Sequence, residues 1–369
     1  EDVLVIAGTT ASLTDVTGGD DITVRAPGNI TARNVRTTGA GADSSVLDFS
    51  MASGSPTFTI VTGDGTGADI VMTSANGAID AATLSAGDDI LLNAANNIAV
   101  NGATTLGLGT TGSDSSIRTQ GGATTLADLD AFSNVVVDAA GTANLTGVVA
   151  AGRDITITAQ DVRPATLTGT GGAATPTLSA GGNIVVNSSA GIAGGGVRAL
   201  GNSTLTASTA IGITAIEGQN VALTGANGID VNTVTALGTT ILDSGNGNVR
   251  VGVLAASGTI SASANAIRIE GGSGMNFAAL TTDLGDAYVR STGNLTVGSA
   301  NVAGAADLRA QGATMNIGSL TAANATLENT SGSLTLGSVT VAGNLAATAR
   351  TSLGVNGVVT GQSISLASG

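Results

Sequence analysis

The sequence predicts an all-β protein, a right-handed parallel β-helix of roughly triangular cross-section with about 16 coils of ~19 residues. Three observations predict it. Aliphatic residues recur every 18 to 20 positions in three interleaved series. Within each coil they stand two apart with polar residues between them, the period of a strand with one buried face. Gly, Asn and Asp separate the apolar pairs, and Thr and Val favour strand over helix.

The three series are clearest toward the C-terminus. One runs Tyr288, Leu308, Leu327, Leu345, Ile364; a second Leu295, Met315, Leu334, Leu353; a third Val302, Leu320, Val339, Val358. The first extends upstream, less evenly, through Ile22, Val46, Ile70, Ile90, Ile117, Val135 and Ile155. Pairs such as Ile90 and Leu92, Ile155 and Ile157, or Val221 and Leu223 mark one strand of the coil; Ile98 and Val100 or Leu334 and Leu336 mark the next. Crossovers between parallel strands are right-handed almost without exception, which sets the expected hand. At the strand spacing of ~4.8 Å the rod would be roughly 75 Å long.

An Asp or Asn repeatedly stands just before the first series: Asp21, Asp69, Asp89, Asn134, Asp154, Asn183, Asn220. Such short side chains tolerate tight backbone and bond to nearby amides, so they are read as corners. Stacked Asn ladders are the further expectation. One continuous repeat makes one domain, 1–369, because a solenoid grows by adding coils. Insertions are expected near 50–66, 107–116, 163–180 and 270–285, where Gly, Ser and Thr interrupt the rhythm. Of the five aromatic residues, Phe49, Phe58, Phe277 and Tyr288 fall in or beside them; Phe58 and Phe277 are the binding-loop candidates. Glu1 in first place and a pattern that runs to Gly369 suggest a piece of something longer.

Composition narrows the function. With 56 Gly and few aromatics, the interior is small and aliphatic, as a narrow tube needs. The chain has no Cys, His or Trp, and all twelve basic residues are Arg. A net charge of −14 argues against nucleic acid, whose phosphates require clustered cations. No apolar run approaches the ~18 residues of a membrane helix, and no signal peptide opens the chain.

Chemistry-bearing motifs are sparse. Asp64-Gly-Thr-Gly-Ala-Asp69-Ile-Val71 approximates a calcium-binding nonapeptide, so Asp64 and Asp69 are the metal candidates and calcium the ion. The motif occurs once, and one copy supplies too few oxygens; a Gly-rich turn is the alternative. The pairs Asp20-Asp21 and Asp88-Asp89 do not converge on one substrate atom, because consecutive strand residues point apart. With no Lys, His or Cys, the usual bases and nucleophiles are missing, and no catalytic residue or other cofactor is expected. Asn-x-Thr/Ser sites such as Asn29 and Asn294 are read as turn residues before strands.

In the repeats Ala86-Gly-Asp-Asp-Ile-Leu-Leu-Asn-Ala-Ala-Asn-Asn-Ile-Ala-Val100 and Ala180-Gly-Gly-Asn-Ile-Val-Val-Asn-Ser-Ser-Ala-Gly-Ile192, the chain resembles filamentous-haemagglutinin-type bacterial exoproteins. The resemblance covers most of the chain, but the Asn-Pro-Asn-Gly-like element of the family's secretion domain is absent. It implies a β-helical shaft, exported by two-partner secretion through an outer-membrane transporter and held outside the cell or on its surface. The function expected is a structural and adhesive stalk, with carbohydrate or cell-surface ligands and no catalysis. A homopolymeric filament, associating end to end or side by side, is the alternative, and a polysaccharide-processing β-helix enzyme a third reading.

Overall fold

The structure, a computed structural model, describes residues 2–39, 67–106, 116–164, 176–237, 240–244, 248–256, 267–271, 274–282 and 285–369. All regular elements among them are strands, paired in parallel and stacked as a β-solenoid of about 15 turns of ~19 residues. The chain divides into two compact units, Glu1–Ser188 and Ser189–Gly369.

In the first unit a coil consists of a five-residue strand and an eight-residue strand. The short strands Ile22–Ala26, Ile70–Ser74 and Ile90–Ala94 lie side by side, as do the longer strands Ile30–Thr37, Ile79–Ala86 and Ile98–Thr105. The longer strand bends once. Ile79 and Ala81 face in, Ala82 and Thr83 both face away from the core, and Leu84 and Ala86 face in again. Register skips that place in each pair, so Ala32 opposes Ala81 and the next partners are Asn34 and Thr83. Two adjacent outward residues reverse the side-chain phase without ending the strand, which produces the three pleated segments per turn that the three series required.

The aliphatic rungs follow the expected order with informative slips. Ile22, Ile70, Ile90, Ile117, Val135, Ile155 and Ile184 are successive register partners. Ile22 pairs directly with Ile70, and Val46, read as a member of this series, lies outside the described residues.

The second unit repeats the plan. Its five-residue strands include Ser203–Ala207, Val221–Gly225 and Ala287–Ser291; further on, Asn294–Ala310 and Thr314–Asn329 run through two segments of a coil with a register shift between Val302 and Ala305. The series Leu295, Met315, Leu334, Leu353 is in register throughout. The other two series each need correction. Val289, not Tyr288, opposes Leu308, and Leu345 opposes Ala325, not Leu327. Ala300 and Val359 hold the places assigned to Val302 and Val358. Both errors are shifts of one or two residues, and a one-residue shift exchanges the two faces of a strand.

The expected insertion at 270–285 is corrected as well. Ile267–Gly271 and Gly274–Thr282 are strands in that stretch, and Met275, Phe277 and Leu280 fill the interior. At 163–180 strand continues to Pro164 and resumes at Pro176. Residues 50–66 and 107–115 lie outside the described part.

Candidate functional site

The polar feature with the most buried charge is the corner before the five-residue strands of the first unit. Backbone bonds fix it first: Ile22 donates to the Asp69 carbonyl at 2.8 Å, and Ile70 to the Asp89 carbonyl at 2.9 Å. This leaves the side chain of each corner residue beside the amide of its counterpart one coil on. The Asp69 amide donates to Oδ1 of Asp21 at 3.0 Å, the Asp89 amide to Oδ1 of Asp69 at 3.0 Å, and the Ser116 amide to Oδ1 of Asp89 at 2.6 Å. The column continues, with the Asp154 amide on Oδ1 of Asn134 at 3.2 Å and the Asn183 amide on Oδ1 of Asp154 at 2.6 Å. The corner side chains thus bond to neighbouring amides as expected; the stacked members are chiefly Asp, and a side-chain Asn contact joins Asn220 to Asn202 at 2.8 Å. The second unit uses the same device at Asn294, Asn324 and Asp286, each accepting the amide of Thr314, Asn344 and Ala305 respectively.

The first three members differ from the rest in environment. Asp21, Asp69 and Asp89 are buried, as is Asp88, whereas Asp154 is exposed. Thr37 closes the floor: its hydroxyl donates to the Ala68 carbonyl at 2.9 Å and accepts the Gly87 amide at 2.8 Å. Gly67, with φ of +143°, passes so close to Asp88 that a Cβ there would overlap its carboxylate. Burial drives the Asp69 carboxyl up to about 8, against the pull of the Asp89 amide; the negative charges of Asp89, Asp21 and Asp88 add to the rise. Asp69 thus carries a proton at neutral pH.

As metal ligands the predicted residues do not come together in what is described. Asp64 lies outside the described residues, Oδ1 of Asp69 is engaged by an amide, and among the described residues no group of three or more acidic, His or Cys side chains is arranged to hold a metal ion.

Two outward faces complete the inventory. In the first unit Val71, Leu91 and Val136 line an apolar cleft of about 210 Å³, edged by Asn93, Gln120 and Asp138. In the second, Tyr288 faces outward, with the Arg268 and Arg290 guanidiniums 5.1 and 4.6 Å from its ring centre. One rung on, Arg309 bonds Asp307 at 2.7 Å and Glu328 at 2.8 Å, and Asp307 is the first cause of a guanidinium pKa raised still further. Arg268 with Tyr288 and Arg309 with Glu328 tie neighbouring coils, while the other two contacts lie within one strand.

Of the aromatic candidates, Phe58 lies outside the described residues. Phe277 is a correction: it is 0% exposed in the strand Gly274–Thr282, opposite Val251 and Val297, and is core, not a binding loop. Sequence reasoning missed Phe132, which is 64% exposed at a corner next to Ala131, the last inward residue of its strand. Counting the alternation from Leu129 would have placed it outside. No protein-family model, curated protein or solved structure matches the chain.

Proposed function

We propose that the chain is a non-catalytic structural and adhesive stalk of a bacterial cell-surface or secreted protein. The observation that carries this reading is the uniformity of the coil: in both units the same inward positions, corners and Asx acceptors recur, so the sequence is spent on stacking. Repeats that contact only their neighbours make extended scaffolds whose length is set by coil number. Passage through an outer-membrane pore fits it, because each emerging coil buries its aliphatics on the one before and opposes back-sliding.

Adhesion is tested by coating beads with the purified chain and measuring retention on host-cell and glycan-coated surfaces against uncoated beads. Retention above control supports the adhesive part, and equal retention removes it. Incubation with acidic polysaccharides should yield no unsaturated products; their appearance would replace the stalk with a lyase.

A filament is the second reading: parallel coils that contact only their neighbours can be extended by coils of another copy in the same register. Electron microscopy separates discrete particles from continuous fibres.

A further inference from the structure

We propose that the carboxyl column Asp21–Asp69–Asp89 is a proton-operated clasp, which holds three successive coils tight while a proton resides in it and loosens them once every member is ionised. This goes beyond the stalk reading and does not depend on it.

The geometry sets up the conflict. The three residues precede strands that are direct register partners, Ile22–Ala26, Ile70–Ser74 and Ile90–Ala94, so their carboxyl groups repeat at about the strand spacing of ~4.8 Å. All are buried, where like charges are poorly screened. The groups acting on Asp69 by charge are the carboxyls of Asp89, Asp21 and Asp88; among the described residues the longer strand Ile30–Thr37 brings the Thr37 hydroxyl to this corner.

A neutral Asp69 resolves the conflict without losing a bond. Oδ1 of a protonated carboxyl still accepts the Asp89 amide, so the intercoil hydrogen bond survives while one of the adjacent charges is removed. Ionisation keeps the bond and adds a buried negative charge between two others.

The sign follows from linkage. The folded group titrates at about 8 and an ordinary Asp carboxyl at 3.8, so the folded coils hold one more proton than the opened chain between those limits. Stability from this proton is complete below the lower limit and is lost as pH rises through the upper one. The opening equilibrium of these coils should rise by up to about tenfold per pH unit across that window and level off above it.

The test is hydrogen exchange on the full chain between pH 5 and 9, corrected for intrinsic rates, read on peptides covering residues 67–94. Wild type should lose protection as pH rises, Asp69→Asn should hold it across the range, and Asp154→Asn, at an exposed rung of the same column, should follow wild type. Parallel profiles for wild type and Asp69→Asn would overturn the clasp. Infrared spectroscopy of wild type needs no variant to fold. A protonated-carboxyl carbonyl band present at pH 6 and gone by pH 9 is expected, and its absence at pH 6 overturns the proposal.

Discussion

Individual side chains separate into those whose surroundings are fixed by stacking and those that are not. Phe277 and Phe132 have the same chemistry in opposite settings, one sealed in the interior and the other standing at a corner. Phe277→Ala should cost about 3–5 kcal/mol. Phe132→Ala should stay within about ±0.5 kcal/mol, as for other surface changes. Thermal melts of the two variants check the pair, and equal losses would contradict the assigned faces. Glycine shows the same contrast. Gly298, Gly318 and Gly337 stack at one corner, and a Cβ on Gly318 would run into the Gly298 carbonyl. At Gly102 the nearest atoms to a Cβ are 3.9 Å away. Gly102→Ala should therefore stabilise by about 0.4–1 kcal/mol through the unfolded chain, whereas Gly318→Ala should destabilise; chemical denaturation reads both.

Within a strand, the decisive quantity is phase. Ile98 and Leu334 are inward rungs with neighbours above and below, Ile79 and Thr124 for the first and Met315 and Leu353 for the second. Ile98→Asp or Leu334→Asp places an unpaired carboxylate among aliphatics, where burial of charge is prohibitive, so that coil should open. Limited proteolysis should then cut near the substitution and nowhere else; a resistant variant would count against the stacking. Phase also explains how much was legible in advance. The run Leu295, Met315, Leu334, Leu353 was readable because a second aliphatic follows each rung two positions on, at Val297, Ile317, Leu336 and Val355, which fixes the phase. Tyr288 was misassigned because an outward aromatic beside inward Val289 looks as apolar as its neighbour. The column at Asp21, Asp69 and Asp89 was visible as a spacing, but its burial was not, since burial depends on what covers a corner and not on which residue occupies it.

For the chain as a whole, the fold follows from nearest-neighbour contacts, and its energetics should be correspondingly local. Unfolding in denaturant should be broad instead of one sharp step, because coils exchange stability chiefly with adjacent coils. In the Leu334→Asp variant, hydrogen exchange should show lost protection in coils around residues 315–353 and unchanged protection around residues 70–100. A global loss would mean that coupling is far longer in range than stacking provides. The net charge of −14 keeps such a surface soluble and self-repelling, and some Arg side chains stitch neighbouring coils, as at Arg250 with Asp230 and Arg309 with Glu328.

The Asx column has one more consequence. The corner oxygens of Asp21, Asp69, Asp89, Asn134 and Asp154 accept an amide from the following coil, so this column has a grain, like overlapping roof tiles. A newcomer at the trailing edge must present its amide side, which admits the same orientation again and rejects the inverted one. Coils added at either end then keep one orientation, and a head-to-head junction between two copies would set acceptor against acceptor with no amide to share.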